Sequence, residues 1–388
     1  MKRKWVRYLL LIPALLVVLV VLSAASNVFF PRSSKLVDRL SAEEKARAAE
    51  VIHLRQELGN EVWPGFGDAA IPLVLYNEAY AFLLNYEGEP PIGWALPRSG
   101  EQQGTAWEPV PGEEFLGGPY YRQRLVGDVT PQAFCVRLGD QWAASMTTYE
   151  WSRVRLAQLM KEELPSWLSP VVPFFLVTRL YIGDTDKYVS ALTHESFHAF
   201  VGLESERRLI QAEEAARRLE ESYPWEDEAN IAGWQTELEL LTRAVRASSR
   251  EETVDLVGQF LTARAERREN NRLATRLMDY EQRREWLEGL AKYVELEAWR
   301  QGATAPDYSA HPAAAELSDF HGYEGFETAW AREVDQITRT AEDSGDTRFY
   351  YSGMAQATLL DRLMPGWKEG ALTGGTTLEG LLAAAIDA

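Results

Sequence analysis

Residues 203–280 are dense in Glu, Arg, Leu and Ala at helical spacing, and this stretch limits the chain more than any other to a largely helical fold. Leu and Ala supply an apolar stripe on each segment, while Glu and Arg cover the opposite face. Tyr223-Pro224 and Ser248-Ser249 interrupt the pattern, so the region predicts long helices folded back as an antiparallel hairpin.

Strand-like sequence lies ahead of it. Ile71 to Tyr76 reads as a strand, and Ala133 to Leu138 with Gln141 to Thr147 flank Gly139-Asp140 as a hairpin. Residues 87–119, rich in Gly, Pro and Glu, read as a long surface loop. Ser41-Ala42-Glu43-Glu44 is a capping-box pattern opening a helix that ends near Gly59, and a second helix is expected over Tyr149 to Glu163. Asp184 is placed to cap a helix from Thr185 to Val201, with Gly202 as its stop. Further helices are expected near 279–299, 326–341 and 351–364, with 365–388 left as a tail. The fold class is therefore α+β and mostly helical: a small N-terminal β region within 41–148, and a helical domain over 149–364 carrying the insertion 203–280.

The N-terminus bears on compartment. Lys2, Arg3, Lys4 and Arg7 precede a run from Tyr8 to Phe30 without a charged residue. Those 23 residues suffice to span a bilayer core as one helix. Basic residues ahead of the run hold that end in the cytoplasm, so residues beyond the linker 31–40 are expected on the extracytoplasmic side. Ser23-Ala24-Ala25 also offers small residues for signal cleavage. Val28-Phe29-Phe30 carries the apolar run past that point and favours an uncleaved anchor, with no packing partner expected in the globular part.

A net charge of −18 offers no basic stripe to displace counterions from phosphates, which argues against a nucleic-acid partner. Cys135 is the sole cysteine, so intrachain disulfides and thiolate clusters are excluded and metal ligands must be His or carboxylate.

His194-Glu195-Ser196-Phe197-His198 meets that restriction. Two histidines at i and i+4 lie on one helix face and can share a metal ion, while a Glu directly after the first stands where it can take a proton from bound water. Val189, Leu192, Phe197, Ala199 and Phe200 mark the helix as apolar, so ionisable groups there need a compensating partner. A catalytic zinc site has three protein ligands and an open position. Glu288, in Glu285-Trp286-Leu287-Glu288-Gly289-Leu290-Ala291, is the best third ligand because Gly289 and Ala291 let its helix approach the His helix. Glu281, Glu285, Glu295 and Glu297 have the simpler reading of a solvated face, and the first three are the alternative ligands.

HESFH followed by WLEGLAKY resembles the gluzincin metallopeptidases, the group containing thermolysin and aminopeptidase N. The resemblance implies a zincin-like catalytic core over roughly 184–364 with one Zn2+ held by His194, His198 and Glu288. It implies Glu195 as general base, and a peptide or protein as substrate. Tyr350-Tyr351-Ser352-Gly353 is similar to the Tyr-x-x-Gly segment carrying the aminopeptidase branch's transition-state tyrosine, which implies Tyr350 as oxyanion donor. Packing is the alternative for Tyr350 and Tyr351 alike. The chain departs from the family in three ways. His198 and Glu288 stand ninety positions apart. No Gly-x-Met-Glu-Asn motif is present. Lys292 occupies the place of the Asp that orients a zinc-bound His, which leaves Glu295 as the nearest substitute. Two other functions fit the same residues: a silent zinc-binding envelope scaffold that engages a protein partner through 203–280, and a zinc hydrolase of non-peptide amides or esters.

Overall fold

Alternating apolar residues build one eight-stranded sheet early in the chain, and the helical sequence after it packs on one face of that sheet. The protein is described here by a computed structural model that covers residue 18, residues 20–127 and residues 129–387. The strands are β1 (Leu73–Tyr76), β2 (Tyr80–Leu84), β3 (Trp94–Ala95), β4 (Gln102–Gln103), β5 (Glu108–Phe115), β6 (Gly118–Arg124), β7 (Phe134–Leu138) and β8 (Gln141–Thr147). Their order is β4-β3-β7-β8-β1-β2-β6-β5. β1 and β8 run parallel and every other pairing is antiparallel. The two-residue period divides the sheet cleanly. Leu73, Leu75, Ala144 and Met146 face the main core, whereas Val74, Tyr76, Ala143 and Val136 face a smaller one closed by Trp94.

Residues 87–119 are not the loop their composition suggests, since β3, β4 and β5 lie within them. β5, with the sequence EPVPGEEF, forms the last strand of the sheet, where Pro and Glu are tolerated on an unpaired edge.

The helices are α1 (Ala42–Val62), α2 (Tyr149–Glu163), α3 (Phe174–Ile182), α4 (Thr185–Leu219), α5 (Glu228–Arg246), α6 (Arg250–Asn270), α7 (Thr275–Arg284), α8 (Leu290–Thr304), α9 (Phe326–Ile337), α10 (Thr347–Leu363) and α11 (Leu378–Ile386). A π-helical turn, Glu285–Gly289, joins α7 to α8 without a break. Ser41 caps α1 by accepting from the Glu44 amide at 3.2 Å. The Glu44 carboxylate does not return to Ser41; it accepts from the Tyr149 and Glu150 amides and so caps α2.

Asp184 caps α4 as expected, but Gly202 does not stop it. The helix runs on to Leu219 with a kink at Ser205. A Cβ at Gly202 would lie 2.5 Å from the Trp142 ring, so this glycine serves the contact between α4 and β8. Gly289 needs a similar correction, because its close neighbour is α10 and not the His helix. A Cβ at Gly289 would fall 2.4 Å from Gly353 Cα, and one at Gly353 only 2.3 Å from the Glu285 carbonyl oxygen.

The insertion forms the expected helices, and α5 packs along α6, but not all of its charges are solvated. Arg264 and Arg267 are buried and share Glu237, at 2.8 and 2.5 Å. Arg264 also pairs with Glu285 at 2.6 Å and Arg267 with Glu281 at 2.8 Å. The last residues are no tail: α11 contributes Leu378, Leu382 and Ala385 to the main core, and its Glu379 reaches Arg264 and Arg268. That core runs from Leu40 to Ala385, so sheet and helices share one interior.

Most of the N-terminal run lies outside the described residues, and among the described residues no helix is long and apolar enough to cross a membrane. Residues 20–28 are helical, and their end does find a partner, contrary to expectation. Ser23 Oγ donates to the Val171 carbonyl at 2.6 Å, and Asn27 Nδ2 to that of Val172 at 2.7 Å.

The two crossing glycines set a first test. Gly289→Ala should lower stability by about 1–3 kcal/mol through overpacking against Gly353. Gly258→Ala, on α6, meets only Ile386 at 3.9 Å and should raise it by about 0.5–1 kcal/mol through helix propensity. Denaturant midpoints of the two variants should move in opposite directions.

Candidate metal centre

Helix α4 sets the two imidazoles one turn apart on a buried face against the sheet. His198 is fully buried, and the Phe134 ring of β7 packs on it with centroids 4.3 Å apart. His194 and His198 turn their Nε2 atoms toward each other at 3.1 Å. Glu288 Oε2 stands 3.3 Å from His198 Nε2 and 3.7 Å from His194 Nε2. Zinc bonds of about 2.0–2.1 Å in a tetrahedral shell put neighbouring ligand atoms about 3.3 Å apart. The three atoms therefore outline one face of such a shell. Glu288 Oε2 is buried and has no hydrogen-bond partner, which is costly for a carboxylate oxygen unless a cation takes it up. On these observations the residues fit a zinc ion.

The other oxygen of Glu288 is already committed. Arg284, one turn earlier, donates to Oε1 at 2.6 Å. The same guanidinium donates to Glu213 of α4 at 2.7 Å, and to both oxygens of Asp346 at 2.8 and 2.6 Å. Burial works against ionising Glu288, yet Arg284 and His198 hold its carboxyl well below the usual range. The alternative ligands are turned away: Glu281 and Glu285 spend their oxygens on Arg267, Arg268 and Arg264.

Glu295 stands behind His194, with its Oε2 3.2 Å from Nδ1. That approach is not aligned as a hydrogen bond, because Nδ1 has no properly directed partner, and the contact is an electrostatic one. Lys292 holds the other oxygen of Glu295 at 2.7 Å. Burial lowers the pKa of His194, but Glu288 and Glu295 overcome it and push the value up to about 10. Burial dominates at His198 and pushes its pKa down to about 4.

Glu195 brings a carboxylate oxygen within 4.8 Å of ligand atoms of both histidines and is itself only partly buried. Burial, reinforced by the charges of Glu288 and Glu295, pushes its pKa up to about 8. Tyr350 stacks on the His194 ring, with centroids 5.4 Å apart and planes 10° from parallel. Burial and the carboxylates of Glu288 and Glu195 push its phenol well up. Tyr351 points elsewhere and donates to Glu333 at 2.9 Å. The packing of Gly353 on Gly289 is what sets Tyr350, one turn earlier, beside the π turn that bears Glu288. His321 lies near Asp184 at the surface, away from the imidazole pair.

A cleft of about 180 Å³ is lined by residues 96–98, by residues 131–135 that lead into β7, and by Glu213, Arg284, Glu288, Asp346 and Tyr350. Arg284, Glu213 and Asp346 carry no motif in the sequence. The one available signal was the i, i+4 spacing of Arg284 and Glu288, which acquires meaning only once Glu288 is suspected. No family model matches the chain, and neither the curated proteins nor the solved structures contain a match.

Two results are expected. Zinc must displace the proton held on His194, so zinc affinity should rise as pH increases toward about 10. Without metal the sign reverses: a raised His194 pKa stabilises the fold fully below the ordinary value of 6.5, and that contribution is lost as pH climbs to about 10. Thermal melts with and without zinc across that range check both. Glu288→Gln should lose zinc, while Glu281→Gln should keep it and lower the melting temperature, because it leaves Arg267 short of a buried partner.

Proposed function

We propose that this protein is a zinc-dependent hydrolase of the gluzincin type, most simply a peptidase, anchored by residues 8–30 and working outside the cytoplasmic membrane. The observation that carries the reading is the triangle of buried, converging atoms, His194 Nε2, His198 Nε2 and Glu288 Oε2, with Glu195 and Tyr350 beside it. His194, His198 and Glu288 would hold the ion. When bound, zinc lowers the pKa of a coordinated water to about 7 and polarises a substrate carbonyl.

The protein's own groups do the rest. Glu195 is not needed as a ligand and is free to take a proton from the attacking water and pass it to the leaving group. Its raised pKa makes it hold that proton well, and a nearby divalent charge returns it to the ionised form a base requires. Tyr350, with a phenol that stays protonated far above neutrality, can donate to an oxygen that gains negative charge as the carbonyl is attacked. Glu295 steadies the His194 ring through Nδ1, and Lys292 fixes Glu295 in turn. Phe134 packs on the His198 ring, which is closed to bulk water. Peptide bonds are proposed as the target on the motif resemblance, since the cleft's shape does not distinguish an amide from an ester.

Purified protein should contain one zinc per chain and cleave members of a mixed peptide library, read by mass spectrometry. Glu195→Gln should retain the metal while turnover falls by about 10²–10⁴-fold. Tyr350→Phe should also retain it and lose about 10²-fold in turnover with little change in substrate binding. His198→Ala should lose both. If Glu195→Gln emerges without zinc, the division between ligands and base is wrong. Zinc-loaded protein that cleaves esters but no peptide in the library would assign another substrate class.

A further inference from the structure

The surface around α3 is unlike the rest of this acidic molecule. α3 has the sequence FFLVTRLYI, with one charge in nine residues, yet it is not a core helix. Only Phe174 and Thr178 are buried, while Phe175, Leu176, Leu180 and Tyr181 face outward, the last two 70% exposed. Trp167, in the turn before it, is 74% exposed. Large apolar side chains gathered this way on a surface mark an interaction site.

The chain itself indicates what covers it. The charge-free run 8–30 ends at this patch and is bonded to it. Asn27 donates to the carbonyls of Pro170 and Val172, and its Oδ1 accepts from the Phe174 amide at 3.2 Å, so it serves the free N-terminus of α3. Phe30 packs against Phe174 and Ala157. Val28 and Phe29, at the junction, are as exposed as the patch. Lys161 lies over the Phe174 ring at 4.7 Å and Arg153 over the Phe175 ring at 5.1 Å. Cationic heads on apolar stems beside aromatic rings suit a headgroup boundary.

We infer that α3 and the preceding turn at Trp167 dock into the outer leaflet of the bilayer that residues 8–30 span, Leu176, Leu180 and Tyr181 entering the headgroup–acyl boundary. The inference rests on reading 8–30 as an uncleaved spanning segment. Its reach is short: α4 starts three residues after α3 ends, and His194 lies roughly 14 Å along α4 from its first residue. The docking thereby holds His194 near the membrane surface.

The test uses the full chain in vesicles of phosphatidylcholine and phosphatidylglycerol, with Cys135→Ala as background. Environment-sensitive fluorophores are attached at Trp167→Cys, Leu180→Cys or, as a control on the insertion, Asp255→Cys. Lipid-borne nitroxide should quench the fluorophores at 167 and 180 and spare that at 255. Flotation of the vesicles reports the spanning segment separately. Chain that floats with all three positions unquenched overturns the docking of α3 and leaves the anchor standing. Chain that does not float overturns the anchor, and the docking with it. Energy transfer between fluorophores at 180 on different chains, without lipid quenching, would assign the patch to a second copy of the protein and equally overturn the inference.

Discussion

Arg284 is the interaction on which the candidate site depends. Four carboxylates, Glu213, Glu288, Asp346 and Glu195, converge on a region largely shut from water, and their mutual repulsion would scatter them without a cation. The guanidinium reaches three of these carboxylates, which belong to the far half of α4, the π turn and the start of α10. A planar fork with five fixed donors can do this, where an ammonium on a flexible stem would not hold all three directions. Burial makes the arrangement costly to break, because losing Arg284 would leave uncompensated charge inside the protein. The same bond fixes which oxygen of Glu288 stays open toward the imidazoles.

A second set of buried charges does a different task. Arg264 and Arg267 tie α6 to α5 through Glu237 and to α7 and the π turn through Glu281 and Glu285, and α11 closes the set through Glu379. Well-packed apolar side chains would hold helices together at least as firmly. What these pairs add is direction: they occupy Glu281 and Glu285, so it is Glu288 whose buried, unpaired oxygen faces both Nε2 atoms.

The candidate site was legible in the sequence where it obeys short-range geometry. His194 and His198 must share a face of any helix that contains them, and the small residues around Glu288 marked its helix for close approach. The helices were legible too, since caps such as Ser41 and Asp184 are local devices. Information carried by distant partners was hidden. The Arg–Glu stripe of 203–280 has the composition of a solvated surface, and most of it is one; only the presence of α7 and α11 beyond it makes Glu237, Arg264 and Arg267 interior. Gly202 read as a local helix stop and Gly289 as room for the His helix, but each is small because of another residue far off in sequence, Trp142 and Gly353. Edge strand β5 escaped notice because Pro and Glu, which argue against a central strand, suit a sheet's last one.

The π turn at Glu285–Gly289 divides one continuous rod into two angular phases. A regular α-helix advances about 100° per residue, so a turn with one residue too many rotates everything beyond it relative to everything before. Ahead of the turn Glu281 meets the arginines of α6 and Arg284 reaches Glu213 in the far half of α4, while after it Glu295 stands behind His194. A single helix can in this way answer to two neighbours whose spacings would otherwise conflict. The length of this five-residue stretch is therefore held as tightly as the identity of any side chain in it. Substitution there alters one contact, whereas loss or gain of a residue would turn the whole of α8, with Lys292 and Glu295, out of register with His194.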